Sequence, residues 1–456
     1  MKILLLNQAF YPDVASTAQH LTDLALELVS HGHEVSVMCS RRMYDKPEVQ
    51  HPRHESWRGI KIRRIYSFGF GKSARWRRYA DFGSYLVNCL RHLIALPRFD
   101  LVIAMTSPPL ISFLGALFVR LKGGRFVFWV MDLNPDEALA AGWMQPGSWS
   151  TRRLQWMLQY SLKQADTIVA LDRFMAKRIE EKGVAPGKIT VLPPWSHDNQ
   201  VRYDTDGRER FRQEHQLTGK FVVMYSGNHS PCHPLTTLLE AARCLGDHPE
   251  IAFCFVGGGA EFKTVEAFRA THGLNNIVMA PYQPLEKLSA SLSAGDLHVV
   301  VMGDPFVGLV HTCKVYNIRT LGIPYLYIGP SVSHVTEMYP RFSARHGDVA
   351  TVLHHIQTAA ASRSSRVVLP SELVQHSQDH LVAKLVGVLE SGLIPATVNG
   401  HAKLVPEKLT EFPAHIVYGT TNGHANGSSN GHTDGVRKIP NGHAEPSRRA
   451  WQAKGD

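Results

Sequence analysis

The sequence has few cysteines and no long apolar run. Its six cysteines are scattered and no two form a Cys-x-x-Cys pair, which argues for reduced thiols and against a disulfide framework or a zinc site. No run of eighteen or more apolar residues occurs, so we expect no transmembrane helix. The opening, MKILLLNQAFYP, is too short an apolar run for a signal peptide and lacks a cleavage site.

The loop after the first apolar run also lacks the Gly-x-Gly-x-x-Gly fingerprint, which weakens any assignment to dinucleotide-dependent oxidoreductases. The remaining composition is that of a globular protein of 456 residues, with 44% apolar and 19% charged residues. This length allows two domains, each with its own core. The formal net charge of +10 favours an anionic partner, such as nucleic acid, a membrane surface or a phosphorylated substrate.

The first half of the chain alternates apolar runs with amphipathic segments. Residues 2–6 predict a buried parallel strand, 17–31 a helix and 34–39 the next strand. A later predicted strand, 126–131, leads directly into the segment Asp-Leu-Asn-Pro-Asp at 132–136. Ligands bind beyond the carboxyl ends of the strands in open parallel sheets, so we expect this segment to border a site.

The same alternation restarts at residue 221, after a polar stretch at 196–220 that predicts a domain boundary. The sequence therefore predicts an α/β protein with two doubly wound Rossmann-like domains, residues 1–198 and 199–392, and a cleft between them. A helix at 370–390 is expected to close the second domain. Residues 393–456 contain four Asn-Gly-His triplets and predict a disordered tail, with weak metal binding as the alternative.

Lys314 opens a predicted helix at 314–321, which Gly322 ends and Pro324 follows. The preceding loop thus brings a lysine and several backbone N–H groups to one helix N-terminus. That arrangement suits an anion, and phosphate above all. A solvated lysine on an ordinary helix is the alternative, and this stretch by itself supports both equally.

Residues 63–98 interleave basic side chains with aromatic and aliphatic ones. The basic residues are Lys72, Arg75, Arg77, Arg78, Arg91 and Arg98, and the apolar ones are Trp76, Tyr79, Phe82, Tyr85, Leu86 and Leu93. We expect a basic amphipathic helix that lies on an anionic membrane. A core-facing helix with a solvated basic edge is the alternative. Nucleic-acid binding is a further hypothesis, although no motif for it is present.

The stretch at 308–330, GLVHTCKVYNIRTLGIPYLYIGP, resembles the segment PSKLYEYMAAGKPVI of retaining glycosyltransferases with the GT-B fold. Lys314, Tyr316, Gly322 and Pro324 match that segment. Further pieces agree in order along residues 1–390, namely those at 1–37, 106–109, 132–136, 171–195, 225–228, 255–259 and 283–300. The resemblance is strongest to bacterial glycosyltransferases that build lipid-linked exopolysaccharides of the colanic acid type.

This resemblance implies a nucleotide-sugar site in the cleft. The expected catalytic residues are Lys314 and Asp132. The expected donor-binding residues are Gly227, Asn228, His229, Gly257, Tyr282, Lys314 and Asn317, and those on the acceptor side are Ser16, Thr17, Asn134 and Asp136. We expect no metal and no cofactor, since the nucleotide sugar is a substrate.

The sequence departs from the family pattern at the expected donor site. Asn228, His229 and His233 stand in a loop where many relatives carry an arginine and a lysine. The glutamate that follows the family lysine by three residues is Asn317 here, and a second family glutamate has no counterpart. An amide can still hydrogen-bond a ribose hydroxyl, but only its oxygen accepts. Asp304 is the candidate substitute for the lost carboxylates.

The predicted function is transfer of a sugar from a nucleotide sugar to a polyprenyl-linked glycan acceptor, with retention, in exopolysaccharide or cell-surface glycan synthesis. The departures leave an alternative, a non-catalytic nucleotide-sugar-binding or partner-binding member of a glycan assembly complex. The expected partners are the nucleotide sugar, the lipid-linked acceptor and an anionic membrane surface, without nucleic acid. The expected location is the cytoplasm, with peripheral attachment to the cytoplasmic face of the inner membrane.

Overall fold

A computed structural model describes residues 1–13, 15–43, 48–70, 75–196, 201–362 and 376–391. The strands form two sheets, and both sheets belong to one compact unit. We call the part built on the first sheet the N-lobe and the part built on the second the C-lobe. The tail predicted at 393–456, the residue Lys72 and the side chains of Arg75 and Arg78 lie outside the described residues.

The N-lobe sheet has eight strands. They are β1 (Lys2–Leu6), β2 (Glu34–Ser40), β3 (His54–Trp57), β4 (Ile60–Ile65), β5 (Leu101–Ala104), β6 (Arg125–Trp129), β7 (Thr167–Ala170) and β8 (Ile189–Val191). Their order is β3-β4-β2-β1-β5-β6-β7-β8, and β3 is antiparallel to β4 while the other neighbours are parallel. The central strands are apolar throughout because helices cover both faces of such a sheet.

Among the described residues, the helices between these strands are α1 (Ser16–Ser30), α2 (Arg75–Ala95), α3 (Ile111–Lys122), α4 (Asp136–Ala140), α5 (Trp149–Gln164) and α6 (Arg173–Glu180). Helix α3 packs between α2 and α5. The side chain of Asp172 caps α6 by accepting a hydrogen bond from Met175 N. Parallel neighbours require such crossover helices, and they leave the loops after β1, β6 and β7 at the same edge of the sheet.

The C-lobe is built from α7 (Thr205–Glu214), β9 (Phe221–Asn228), α8 (Thr236–Cys244), β10 (Ile251–Gly258), α9 (Phe262–His272), β11 (Ile277–Ala280), α10 (Leu285–Ser293), β12 (Leu297–Val301), α11 (Lys314–Leu321), β13 (Tyr325–Ile328), β14 (Phe342–Ala344) and α12 (Val349–Ser362). Its sheet is parallel, in the order β11-β10-β9-β12-β13-β14. The predicted fold class of two parallel α/β sheets is confirmed.

The stretch expected to be a polar linker contains helix α7. Asp204 caps it through Gly207 N at 2.8 Å, and Phe211 is buried. Arg208 and Arg212 both reach Asp296 at 2.5 Å. This helix is held by charged side chains rather than by an apolar stripe, and for that reason hydrophobic periodicity does not reveal it. The β3–β4 pair was likewise not predicted.

The last helix, α13 (Gln378–Ser391), lies in the predicted second domain but packs on the N-lobe. Its buried side chains, Leu381, Val382, Leu385, Val386 and Leu389, belong to the N-lobe core. Leu389 O accepts a hydrogen bond from Arg125 at 3.0 Å, and Glu390 pairs with His33 at 2.9 Å. An apolar helix face specifies that it is buried but not against which sheet, so the sequence could not place this helix. The domain limits are otherwise still predictions.

We predict that Leu385→Ala lowers the free energy of unfolding by about 2–5 kcal/mol, because it leaves a cavity in the N-lobe core. Lys384→Ala is the matched control, since Lys384 is exposed on the same helix and its removal should change stability little. Chemical denaturation of both variants measures the difference. Equal stability of the two would mean that α13 does not pack on the N-lobe in solution.

Candidate functional site

Strands β9 and β10 end side by side in small residues. Gly227 lies opposite Gly257, and Asn228 lies opposite Gly258. Gly227 and Gly257 both have a φ of 133°, a conformation that strongly favours glycine. A Cβ atom on Gly257 would collide with Gly227 O. The carboxyl edge of this sheet therefore presents backbone that a ligand can approach closely.

Lys314, the first residue of α11, points its amine at this edge. Its Nζ lies 3.8 Å from the centroid of the Tyr225 ring, and a Cβ on Gly227 would stand 3.1 Å from it. The nitrogen is buried, and none of the residues that the structure describes accepts a hydrogen bond from it. Burial lowers the pKa of Lys314 to about 7, an effect that nearby Cys313 partly opposes. A cation–π contact alone does not replace the lost hydration.

Two histidines, His229 and His233, lie near the Lys314 amine, and neither adds a positive charge to the site. His229 Nδ1 is 3.0 Å from Gly227 O, and His233 Nδ1 is 2.7 Å from Val301 O. Burial, with the Lys314 charge as the second cause, lowers the pKa of His229 to about 4 and that of His233 to about 3. Both imidazoles are therefore neutral at physiological pH, and Lys314 is the source of positive charge among these three residues.

Tyr282 and Asn228 border the same strand ends. The Tyr282 hydroxyl donates to Gly258 O at 3.2 Å and lies 3.5 Å from Asn228 Oδ1. The Tyr282 ring is 52% exposed, which leaves an aromatic surface available beside the glycine backbone. Asn317 lies one turn beyond Lys314 in α11 and is half-buried. The structure thus brings the predicted donor-side residues together along the ends of β9 and β10 and the start of α11.

The N-lobe meets the loop before Lys314 directly. Asp132 forms an antiparallel backbone bridge with Val310, and Leu133 N donates to Leu309 O at 2.8 Å. Burial, and then the neighbouring Glu137 carboxylate, raise the pKa of Asp132 well above its usual range. The protonated form of this acid is therefore favoured, and it can donate a hydrogen bond.

The predicted acceptor-side residues have different surroundings. Ser16, the first residue of α1, has its Oγ 3.4 Å from His20 Nδ1, and it also lies beside the Cys313 thiol, the residue before Lys314. Thr17 follows it and is half-buried. Asn134 Nδ2 donates to Glu137 Oε2 at 2.9 Å. Asp136 is engaged in an ion pair with Lys182 at 2.7 Å, within the N-lobe.

Asp304, the candidate substitute for the lost family glutamates, is exposed and pairs with Arg345 at 3.1 Å. Several residues of the site were not predicted. Tyr225 forms the floor under Lys314, and Glu137 Oε1 lies 3.6 Å from Cys232 Sγ across the two lobes. Tyr225 ends the apolar part of β9, and the Glu137–Cys232 contact joins distant segments, so neither carried a local signal.

The fold and this edge define a class of protein. Two parallel α/β lobes meet where strand ends expose glycine backbone, and a buried amine without an acceptor in the described residues faces that backbone. Backbone N–H groups and a lysine at the carboxyl edge of a parallel sheet are the features that bind phosphate-containing ligands. The chain therefore has the two-lobed α/β architecture, with a strand edge whose backbone and lysine suit an anionic ligand.

Comparison with known proteins narrows this class. Residues 17–195 match the family model described as "Glycosyl transferase 4-like domain". The chain is 28% identical over 342 residues to the putative colanic acid biosynthesis glycosyl transferase WcaI of Escherichia coli (strain K12), covering 71% of this chain and 82% of that protein. Residues 17–195 thus match a glycosyltransferase domain family, and the whole described chain has the GT-B fold.

Solved structures share the fold at low identity. Anabaena HepE in complex with UDP and glucose superposes with a TM-score of 0.63 and 16% identity, over 86% of this chain and 100% of that one. Sucrose-phosphate synthase from Thermosynechococcus elongatus gives a TM-score of 0.68 and 14% identity, over 86% and 98% of the two chains. In the described part of this chain, no helix is both long and apolar enough to span a bilayer.

We predict that Lys314→Met stabilises the ligand-free protein at neutral pH, because it removes a buried amine that finds no acceptor among the described residues. The lowered pKa of Lys314 also determines whether the stability of the protein rises or falls with pH. Between about pH 7 and the ordinary lysine pKa near 10, the unfolded chain binds more protons, so the Lys314 contribution to stability rises with pH.

Denaturant unfolding of wild type and Lys314→Met from about pH 6 to 9 measures both effects. The stability advantage of the variant should shrink as pH rises. A variant that is less stable than wild type, with a difference independent of pH, would show that the amine finds a partner in solution.

Proposed function

We propose that this chain transfers a sugar from a nucleotide-sugar donor to a glycan acceptor, with Lys314 holding the donor diphosphate. The observation that carries the proposal is the buried Nζ of Lys314, which has no acceptor in the described part of the chain. A buried charge is unfavourable unless it is paired. A diphosphate in front of Gly227 supplies the missing counter-charge.

The site chemistry fits the departure of a nucleoside diphosphate. The bond from the anomeric carbon to the phosphate oxygen breaks as the acceptor hydroxyl oxygen bonds to that carbon, and the hydroxyl proton passes to the leaving phosphate. Negative charge on the leaving group grows along this path. A fixed ammonium in a water-poor site stabilises that charge more than in bulk water.

The other donor contacts follow from position. The exposed ring of Tyr282, beside Gly258, offers a stacking surface for the nucleobase. Asn317, three residues after Lys314 and so on the same face of α11, is the residue that we expect to hydrogen-bond a ribose hydroxyl. Protonated Asp132, at the junction of the lobes, would donate to an oxygen of the transferred sugar. Retention of the anomeric configuration, which the family resemblance implies, is still a prediction.

The acceptor class rests on relatives and on charge. The name of the E. coli relative WcaI assigns it to colanic acid biosynthesis. A protein of similar fold, WaaG, with a TM-score of 0.61 and 13% identity, is described as a glycosyltransferase involved in lipopolysaccharide biosynthesis. We propose that this chain likewise acts in cell-surface polysaccharide synthesis, on an acceptor carried by a lipid. The lipid carrier requires the enzyme to work at a membrane, and the N-lobe has a surface suited to that.

We predict that Lys314→Ala lowers turnover by roughly 10²-fold or more, the scale of one lost electrostatic donor, while donor affinity falls less. Lys314→Arg should rescue only partly, because a planar guanidinium places its donors differently. A thermal-shift screen of UDP-, GDP- and ADP-sugars first identifies a donor, since a bound donor stabilises the fold.

Asn317→Ala is the comparison variant, and it should weaken donor binding with a smaller effect on turnover. If the folded Lys314→Ala variant keeps normal turnover, the lysine has no role in the reaction. Absence of turnover by the wild type with every donor, despite donor binding, would favour the binding-protein alternative.

The surface suited to a membrane is the layer formed by α2, α3 and α5 with the loop before α2. It exposes large apolar side chains, namely Tyr66, Phe68, Phe70, Trp76, Tyr79, Val87, Leu90, Ile94, Leu121, Trp149 and Trp156. The rings of residues 66, 68, 70 and 76 form a chain of neighbours 5.2–6.3 Å apart. Tryptophan and tyrosine favour the headgroup region of a bilayer.

The charge of this layer is complementary to anionic lipid. The three helices contain four, two and three arginine or lysine residues, and a single acidic residue, Asp81. The buried side of α2 includes Tyr85, Cys89 and Leu93, so its exposed apolar residues are not needed for the core. We propose peripheral attachment through this layer, at the cytoplasmic face of the inner membrane.

We predict that the double variant Phe70→Ser, Trp76→Ser loses sedimentation with vesicles of acidic phospholipid. Reversing Arg77, Arg152 and Arg153 to glutamate should release the protein as well, because each basic residue near the surface contributes about 1 kcal/mol. Val332→Ser, Tyr339→Ser is the matched control, since these are exposed apolar residues of the C-lobe. Unchanged sedimentation of the Phe70/Trp76 variant would contradict this surface.

A further inference from the structure

A second group of buried polar side chains joins the two lobes beside the proposed donor site. It consists of Asp172, which follows β7 in the N-lobe, and of His311, Tyr316 and His334 in the C-lobe. The side chains of Asp172, His311 and His334 are 6%, 1% and 3% exposed. We call this group the interlobe cluster. Neither the family match nor the proposed donor contacts assign it a role.

Hydrogen bonds order the interlobe cluster. Asp172 Oδ1 accepts from Met175 N at 2.8 Å, and Oδ2 accepts from His311 Nδ1 at 2.7 Å. His311 Nδ1 therefore carries the proton, and its Nε2 accepts from the Tyr316 hydroxyl at 2.8 Å. The result is a relay from Tyr316 through His311 to a carboxylate, all of it buried, where an unmade hydrogen bond is costly.

His334 completes the interlobe cluster from a third segment. Its ring stacks on that of His311 with centroids 3.8 Å apart, and its Nε2 accepts from Thr312 N at 3.0 Å. The loop before α11 is thus hydrogen-bonded on one side to the N-lobe carboxylate and on the other to the C-lobe loop after β13.

Three of these residues, Asp172, His311 and His334, also have ligand atoms close enough for a metal ion, all within 4.8 Å of one another. The geometry disfavours one. Because His334 Nε2 accepts from a backbone N–H, its Nδ1 carries the proton and offers no lone pair. The two imidazole rings are also stacked and nearly parallel, with an angle of 19°, which points their nitrogen lone pairs away from a common ion. Hydrogen bonding accounts for the arrangement.

The interlobe cluster borders the start of α11. His311 precedes Lys314 in the loop, and Tyr316 follows it in the first turn of the helix, so these two hydrogen-bonded residues bracket the lysine in the sequence. The same loop contacts the N-lobe through the backbone bridge of Asp132 and Val310. A shift of the N-lobe carboxylate would therefore move the loop and, with it, the amine that faces Gly227.

We propose that Asp172 is a positioning residue for Lys314, acting from the opposite lobe through His311 and Tyr316, so that the orientation of the lobes and the placement of the amine are coupled. This inference rests on the proposed function in so far as Lys314 binds the donor diphosphate. Its physical content, the coupling of Asp172 to Lys314, can be measured without a donor.

Asp172→Asn is the variant of choice. Its amide oxygen still accepts from Met175 N and still caps α6, but its NH₂ cannot accept from His311 Nδ1. We expect turnover to fall by about 10-fold or more, because small misplacements of a catalytic group are costly, while UDP affinity changes by less than about threefold. In a Lys314→Ala background, Asp172→Asn should slow turnover little further, since the two residues act as a unit.

Arg173→Ala is the matched control. It breaks an ion pair between Arg173 and Glu337 that also joins the lobes but is exposed, and it should leave turnover unchanged. Tyr316→Phe, which removes one hydroxyl, replaces Asp172→Asn where the latter does not fold. Wild-type turnover by Asp172→Asn would overturn the proposal. So would a loss of turnover on adding Asp172→Asn that is as large in the Lys314→Ala background as in the wild type.

A second readout needs no turnover and separates this proposal from the proposed function. Wild type and Lys314→Met are compared by denaturant unfolding across the same pH range, each with and without Asp172→Asn. If Asp172 holds the amine in its buried place, the pH dependence of the stability difference between lysine and methionine should diminish when Asp172→Asn is present. An unchanged pH dependence would overturn the positioning role, whatever the donor assays give. Stabilisation of wild type by Zn²⁺, absent in Asp172→Asn, would instead reveal a metal site and equally overturn it.

Discussion

The amine of Lys314 is closed off from water above the ring of Tyr225 and has no counter-charge among the described residues, and the cleft is arranged around it. Its nitrogen has no acceptor among the described residues. The nearby imidazoles of His229 and His233 are neutral, so they neither compensate that charge nor add to it. The side chains around the amine therefore stabilise it little, whereas a bound anion would stabilise it strongly. Burial of this amine without a partner lowers the stability of the folded protein, and a bound diphosphate would pair with the amine and stabilise the folded state.

The scaffold places the charge through backbone geometry. Parallel strands direct their carboxyl ends to one edge, and β9 and β10 end there in small residues, where backbone approaches a ligand without bulky side chains in between. The loop before α11 is fixed from the other lobe, by the Asp132–Val310 bridge and by the Asp172–His311 hydrogen bond. The site is therefore a property of the two lobes together. An altered family pattern at Asn317 leaves this framework in place.

Hydrophobic periodicity was sufficient to predict most elements, because strands buried on both faces and amphipathic helices have distinct repeats. Helix α11 was predicted with the bounds observed, since Gly322 and Pro324 mark its end. Helix α7 was missed because ion pairs to Asp296 hold it, and such pairs lack a period. Helix α13 was predicted as a helix but assigned to the second domain, whereas it packs on the N-lobe. Its apolar face could be buried against either sheet.

The sequence by itself determined the fold class, the position of Lys314 at a loop-to-helix junction and the family resemblance, since each of these depends on local pattern. Tertiary structure decided what surrounds that lysine. Contacts of Glu137 with Cys232 and of Asp172 with His311 join segments 95 and 139 residues apart, and Asp136 is paired with Lys182. Burial and charge pairing arise only when distant segments pack, so no local pattern in the chain encodes them.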